Sequence, residues 1–246
     1  MQIVEQKVNK QISIEDASRY FFNGMSLMAG GFGGVGAPPS LINMILEKNI
    51  HDILLISNDT GFPWIGPGKL ITEKRVKKLI ASHIGSNPEA GKQMQEGFLE
   101  VEFVPQGTLA EKIRAGGMGL GGILVDVGLG TVVETNKQKV DVNHKTYMIE
   151  PALTADVSIV YAQKADFYGN LVYDKTARNT NPLVATAGQI TIAEVEEIVP
   201  IGSLHPEEII TPGVFVDYII QSKGVDWKWV WELKQGTGLQ EEQRSK

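Results

Sequence analysis

Short apolar runs alternate with amphipathic stretches and glycine-rich turns along most of the chain. Leu27-Met-Ala29, Asp52 to Ser57, Val76 to Ala81 and Val101 to Val104 are apolar enough to be strands buried on both faces. Between them, Pro38 and Pro39 open a stretch with Leu41, Ile42, Met44, Ile45 and Leu46 at helical spacing. Pro88 to Gln95 predicts another helix, and a third starts at Gln106 and stops at Ala115-Gly-Gly117 by glycine termination. Ahead of the first strand, Ile14, Ala17, Phe21 and Phe22 mark a short amphipathic helix, with Ser13 as N-cap and Asp16 three positions on. Thr108, with Glu111 three residues later, has the same capping spacing. Such alternation predicts an α/β fold: an open, mostly parallel sheet with helices on both faces and right-handed crossovers.

The second half is less regular. Gly116 to Gly130 holds seven glycines around Ile123-Leu-Val125 and reads either as a lid or inter-subunit loop, or as a bulged strand pair. Thr131 to Ile149 predicts a hairpin or meander turning at Asn143-His144. Val157 to Ala162 is a strongly apolar strand, and Pro182 to Ala187, Ile190 to Val195 and Val214 to Ile220 supply further short elements. No linker interrupts residues 1–222, which read as one domain. Residues 223–246 differ: Trp227, Trp229 and Trp231 alternate like a final strand before a polar tail. They either pack on the chain's own sheet or mark a partner surface.

Chemistry concentrates after the first strand. Gly30 to Gly36 contains five glycines in seven positions between that strand and the Pro38-Pro39 helix start. A strand–glycine turn–helix unit directs backbone amides and a helix N-terminus at one spot, which favours a diphosphate. Gly31-Phe-Gly33-Gly-Val-Gly36 also matches G-x-G-x-x-G, and Asp59 at the end of the next strand stands where a dinucleotide fold needs an acid. That raises an NAD-dependent oxidoreductase using Gly31 to Gly36 and Asp59. Ser57-Asn-Asp59, Ser82-His83 and Pro105-Gln106 fall at predicted carboxyl ends of strands too, where open sheets bind ligands.

Composition narrows the classes. A net charge of -6 and a pI near 5.3 argue against nucleic acid. The absence of cysteine excludes disulfides, thiolate nucleophiles and cysteine-ligated metals. His51, His83, His144 and His205 have no metal-ligand spacing, so no metal is expected. Met1 to Lys7 lacks a signal-peptide core and the longest apolar run is broken by Asp126. The expectation is a cytoplasmic protein without a membrane segment.

A longer pattern is more specific than G-x-G-x-x-G. Asn23-Gly24, two residues, Leu27 to Phe32, three residues, Gly36, one residue and Pro38 match the N-terminal signature of the family I coenzyme A transferases position for position. The resemblance continues through Ser57 to Thr60, Ala81 to Pro88, Val104 to Gly117, Gly128 to Thr131 and Ala177 to Pro182, covering Gln11 to Ser222. It is similar to the alpha subunits of acetate– or butyrate–acetoacetate CoA-transferases. What the resemblance implies is a ping-pong transfer of CoA between acetoacetate and a short-chain acid through a glutamyl-CoA thioester. In that family the reactive glutamate sits in a Ser-Glu-Asn-Gly-like motif of the beta half, which this sequence lacks. The resemblance therefore implies no catalytic nucleophile in this chain, a beta-subunit partner in an α2β2 assembly, and CoA as substrate without a permanently bound cofactor. By the same carry-over Gly30, Gly31, Phe32, Gly33, Gly34, Val35 and Gly36 bind CoA, and Asn58 and Gln106 line the acyl site as oxyanion donors.

Each residue also has a plainer reading. Asn58 suits an Asx-turn after a strand, and Gln106 a helix entry. Asp59 replaces a second asparagine of some family members, which weakens a donor role there. Glu89, Glu96 and Glu111 read as solvated helix carboxylates, whereas Glu150, before Pro151, is harder to dismiss as a nucleophile. Arg178 and Asn179 face either the site or a partner. A sensor on a related sugar-phosphate-isomerase-like fold would need an attached DNA-binding helical segment, and none is visible.

Overall fold

Strands apolar on both faces must be covered on both faces, and the chain does this with two helical layers. The computed structural model describes residues 9–227. In chain order the first half runs α1 (Ile14–Ser18), β1 (Ser26–Ala29), α2 (Pro39–Glu47), β2 (Ile53–Ser57), α3 (Gly68–Thr72), β3 (Val76–Ala81), α4 (Pro88–Gln95), β4 (Glu100–Phe103) and α5 (Gln106–Gly117). Then follow β5 (Gly122–Val125), β6 (Lys139–Val142), β7 (Lys145–Pro151), β8 (Ala155–Asp166), β9 (Leu171–Val172), α6 (Asn181–Thr186), β10 (Gly188–Val199) and β11 (Tyr218–Gln221).

The main sheet has the order β11-β10-β8-β1-β2-β3-β4, with β9 antiparallel on β8 and every other pairing parallel. Alternate residues of each strand divide between two cores. Leu27, Leu55, Leu79, Ile159 and Ile192 pack on the face covered by α1 to α4. Met28, Ile56, Ile80, Val160 and Ala193 pack on the face that carries Leu109 and Ile113 of α5 and Val184 of α6. Strand order reverses at β1, which lies between β2 and β8. The loop after β1 therefore leaves the sheet at its topological switch point.

Several local expectations need correction. Thr108 does not cap α5: Pro105 is the N-cap residue, and the Thr108 hydroxyl is buried within the first turn without a partner among the described residues. Gly116 and Gly117 are packing glycines rather than the start of a lid. A β-carbon there would lie 2.0 Å from the Leu153 carbonyl oxygen and 2.0 Å from Thr186 Oγ1 respectively. Gly122–Val125 of that segment forms β5, which pairs antiparallel with β7 in a three-stranded sheet with β6. Val132 and Val133 form a 3-10 turn instead of a strand. The Asn143-His144 turn is present, both residues taking positive φ.

The described start of the tail sits on the domain. Trp227 is buried, meets Tyr161 edge-on with ring centroids 5.1 Å apart, and donates Nε1–H to the Ala37 carbonyl at 3.0 Å. Trp229 and Trp231 lie outside the described residues.

Glu150 is fully buried on β7 and paired with Lys112 of α5 at 2.9 Å and with Lys137. Burial pushes its carboxyl up, but the hydrogen bonds and charges of Lys137 and Lys112 outweigh it, so the net shift is downward from 4.5. A lowered folded value means this pair stabilises above pH 4.5 and is lost as pH falls through the folded value. Glu150→Gln, which leaves Lys112 buried beside a neutral group, is expected to cost about 3–5 kcal/mol in urea unfolding at neutral pH. It should also flatten the acid limb of the stability curve, and an unchanged midpoint would contradict the pairing.

Candidate active site

The loop after β1 turns back on itself because glycine takes positive φ at Gly31, Gly33, Gly34 and Gly36. It is not the open amide cradle expected from the sequence. Gly30 N–H donates to Ile159 O, Gly31 N–H to Thr180 Oγ1, and Phe32 and Val35 pair with each other's carbonyls. Gly33 N–H is held by both carboxylate oxygens of Asp59, at 3.1 and 2.9 Å.

The amino end of α2 is likewise taken. Pro38 and Pro39 have no N–H to give. The next two amides, of Ser40 and Leu41, donate to the Glu194 carboxylate of β10 at 2.7 and 3.1 Å. Ser40 Oγ and Ser222 Oγ donate to its other oxygen at 2.7 and 2.6 Å. Burial pushes the Glu194 carboxyl up, and these four donors pull it back without cancelling the rise. The anion seat at this helix N-terminus is filled by the protein's own side chain. A diphosphate there would have to displace it.

The crevice at the switch point is also plugged, by the Ala177–Pro182 segment. Asn181 is fully buried, accepts from Tyr161 N–H at 3.1 Å, and donates to the Gly36 and Ala177 carbonyls at 2.9 and 2.8 Å. Asn179 donates to the Val35 carbonyl at 2.8 Å. Asn179 thus braces the glycine loop, while Arg178 is exposed. The glycines divide accordingly. A β-carbon at Gly30 would meet Asn181 Oδ1 at 1.9 Å, at Gly34 it would meet Ile65 at 2.5 Å, and at Gly36 the Ala177 carbonyl at 2.4 Å. At Gly33 it would meet nothing within 4 Å.

Open space lies to one side of the switch point, over the carboxyl ends of β1 to β4. A cleft of about 430 Å³ is lined by Phe32 and Gly33 after β1, Asn58, Asp59 and Phe62 after β2, Ser82, His83 and Ser86 after β3, and Gln106 at the start of α5. Asn58 and Asp59 are buried at 6% and 7% exposure, and Phe32 is half exposed. The polar groups form one chain. Asp59 Oδ1 also accepts from Gly61 N–H at 2.7 Å, and Oδ2 from Asn58 Nδ2 at 2.7 Å. Asn58 Oδ1 in turn accepts from Gln106 Nε2 at 3.0 Å.

Asn58, Gln106, Phe32 and Gly33 therefore come together as the sequence expected, while Gly30, Gly34 and Gly36 are internal. Glu150 is sealed into its lysine pair and is not a nucleophile for this cleft. Asp59, the acid expected to hold a nicotinamide dinucleotide's ribose, has no oxygen left for a ribose hydroxyl, because the turn beneath it consumes both. His51 pairs with Asp52, His205 accepts from Glu207 N–H, and His83 alone of the four lines the cleft. No group of three or more potential metal ligands occurs among the described residues. Sequence reading missed Asn181 and Glu194. A lone acid inside the apolar Ile190 to Val195 run was the available signal for Glu194.

Comparison with known proteins gives the family. Residues 11–222 match the family model described as Coenzyme A transferase. The chain is 60% identical over 224 residues to a Bacillus subtilis protein named "Probable coenzyme A transferase subunit alpha", covering 91% of this chain and 98% of the relative. It is 48% identical to the Escherichia coli acetate CoA-transferase alpha subunit, over 87% of this chain and 97% of that one. Identity to the acetoacetyl-CoA:acetate/butyrate CoA transferase alpha subunit of Clostridium acetobutylicum is 46%, over 87% and 98%. The fold is shared with an acyl-CoA transferase from E. coli O157:H7, solved as a CoA thioester complex, with a TM-score of 0.76 at 23% identity. The match covers 89% of this chain and spans half the length of that one, 50%.

Gly33 and Gly36 can be told apart by substitution. Gly33→Ala carries only the cost of a left-handed alanine, about 1–2 kcal/mol. Gly36→Ala adds a clash with the Ala177 backbone and should lose clearly more stability in the same urea titration. Equal losses would contradict the division of the loop into a packed and an open part.

Proposed function

The chain belongs to the coenzyme A transferase family as an alpha subunit, and we propose that it recognises the acyl-CoA thioester in an enzyme exchanging CoA between acetoacetate and acetate or butyrate. A beta subunit supplies the reactive glutamate, and the pair doubles to α2β2. The observation that carries this reading is the Asn58–Gln106 amide pair over a cleft whose described lining includes no glutamate. The names of the E. coli and C. acetobutylicum relatives support acetate and butyrate as acceptor acids. Among the described residues no helix is long and apolar enough to cross a membrane, which is compatible with work in the cytoplasm.

The reaction needs a carboxylate nucleophile and stabilised oxyanions. The partner's glutamate attacks the thioester carbon, the C–S bond breaks, and an acyl–glutamyl anhydride and a CoA thiolate result. The thiolate then attacks the glutamyl carbonyl, releasing the acid and leaving a glutamyl-CoA thioester, and the incoming acid reverses both steps. Each attack puts negative charge on a carbonyl oxygen. In this reading the amides of Asn58 and Gln106 donate to it in a partly enclosed cleft, where such bonds are worth more than in water. Phe32 and Gly33 bound the same cleft and offer the carrier an apolar ring and an approachable backbone.

Expressed alone, this chain should leave acetoacetyl-CoA untouched in the presence of acetate or butyrate. With its beta partner it should exchange CoA, and Gln106→Ala should lower kcat by about 10²–10³. Turnover by the chain alone, or none by the pair, overturns the assignment.

A further inference from the structure

A run of bonds ties the last described residues to the rear of the glycine loop. Ser222 Oγ donates to Glu194 at 2.6 Å, Lys223 N–H to Ser40 Oγ at 3.2 Å, and Lys69 Nζ to Asp226 Oδ2 at 2.6 Å. Trp227 follows, 5% exposed, with its ring edge-on to Tyr161 and Nε1–H on the Ala37 carbonyl at 3.0 Å. Trp227 lies past the stretch 11–222 that matches the family model. Ala37 ends the loop and is fully buried, so its carbonyl needs a donor. The two prolines after it bring no N–H, and the amides of Ser40 and Leu41 are turned to Glu194. The indole N–H is the donor that meets it.

The ring has a second task. Trp227, Tyr161, Ile65 and Ala177 form a small core of their own, apart from the two that cover the sheet, and Val35 packs against it. Gly34 is pressed on Ile65 and Gly36 on the Ala177 carbonyl. The rear half of the loop thus rests on this core. Phe32 and Val35 each donate N–H to the other's carbonyl at 3.0 Å, so wherever Val35 sits, Phe32 follows. Phe32 and Gly33 are the loop residues that reach the cleft.

We propose that Trp227 is a positioning residue for the acyl-CoA carrier: it closes the small core beneath the glycine loop and so holds Phe32 and Gly33 in place at the cleft. The inference rests on the coenzyme A transfer reading above and adds to it a residue that does not itself line the cleft. A side chain that only stabilises the fold, when cut back, reduces the amount of active protein and leaves the KM of the remainder unchanged. A side chain that seats the loop acts otherwise. Its loss lowers the fraction of chains with the loop in place, and apparent affinity for acyl-CoA falls by that fraction.

The test is Trp227→Ala and Trp227→Phe, each in the complex with the beta partner, with KM measured separately for acetoacetyl-CoA and for acetate. Trp227→Ala should raise KM for acetoacetyl-CoA about tenfold, as for a loop seated roughly one-tenth of the time, with kcat and the acetate KM close to wild type. Trp227→Phe keeps a ring against Tyr161 but loses the N–H, and should give an intermediate KM. Hydrogen exchange read by mass spectrometry should speed up in the peptide carrying Phe32 to Ala37, while β2 and β3 keep their protection. A wild-type KM in folded W227A, a fall in kcat with KM unchanged, or exchange rising equally in β2 and β3 overturns the inference. If W227A does not fold, W227F decides by the same KM and exchange. If the wild-type pair transfers no CoA, the functional reading fails, and the exchange pattern alone then decides whether Trp227 seats the loop.

Discussion

A carboxyl group taken out of water must have its oxygens met by N–H and O–H donors. Two such groups organise the region after β1. Glu194 takes the first free amides of α2 and two serine hydroxyls, and Asp59 takes the Gly33 and Gly61 amides with the Asn58 side chain. Each ties residues distant in sequence: Glu194 joins β10 to α2, and Asp59 joins the end of β2 to the loop after β1. These bonds occupy the backbone donors that a nucleotide-binding turn would leave for a phosphate.

The consequence is a displaced cleft. In an open α/β sheet the ligand crevice is expected at the reversal of strand order, between β1 and β8. Here Asn181 and its neighbours fill that crevice, and space opens instead above β1 to β4. What reaches that space is side-chain amide, serine hydroxyl, imidazole and two phenylalanine rings. Asp59 lines the same space, with its carboxylate engaged by Gly33, Gly61 and Asn58.

Where order along the chain decides structure, the sequence was legible. Val76–Ala81 and Pro88–Gln95 have the bounds their patterns predict, because charged residues and an Asn87–Pro88 helix start delimit them. Ser13 caps α1 through Asp16 N–H at 3.0 Å as its spacing implies. The ends of β8 and β10 were not legible. Both run on past Ala162 and Val195 through polar residues such as Lys164 and Glu197, which sit opposite each other and pair at 2.8 Å. A cross-strand ion pair leaves no apolar signature. That Asn58, Gln106 and Gly33 share one cleft was legible because they stand at strand ends within a longer recognisable pattern. The packing roles of Gly30, Gly34 and Gly36, and the Gly33 amide held by Asp59, depend on partners brought in from far along the chain, which spacing does not encode.

The division of labour between two polypeptides is tested most directly by locating the covalent carrier. The complex of this chain with its beta partner would be treated with acetoacetyl-CoA without acceptor acid, and both chains weighed intact by mass spectrometry. If this chain supplies recognition and the partner supplies the carboxylate, the mass of coenzyme A appears on the partner and this chain keeps its unmodified mass. Coenzyme A bound covalently to a glutamate of this chain would contradict that division.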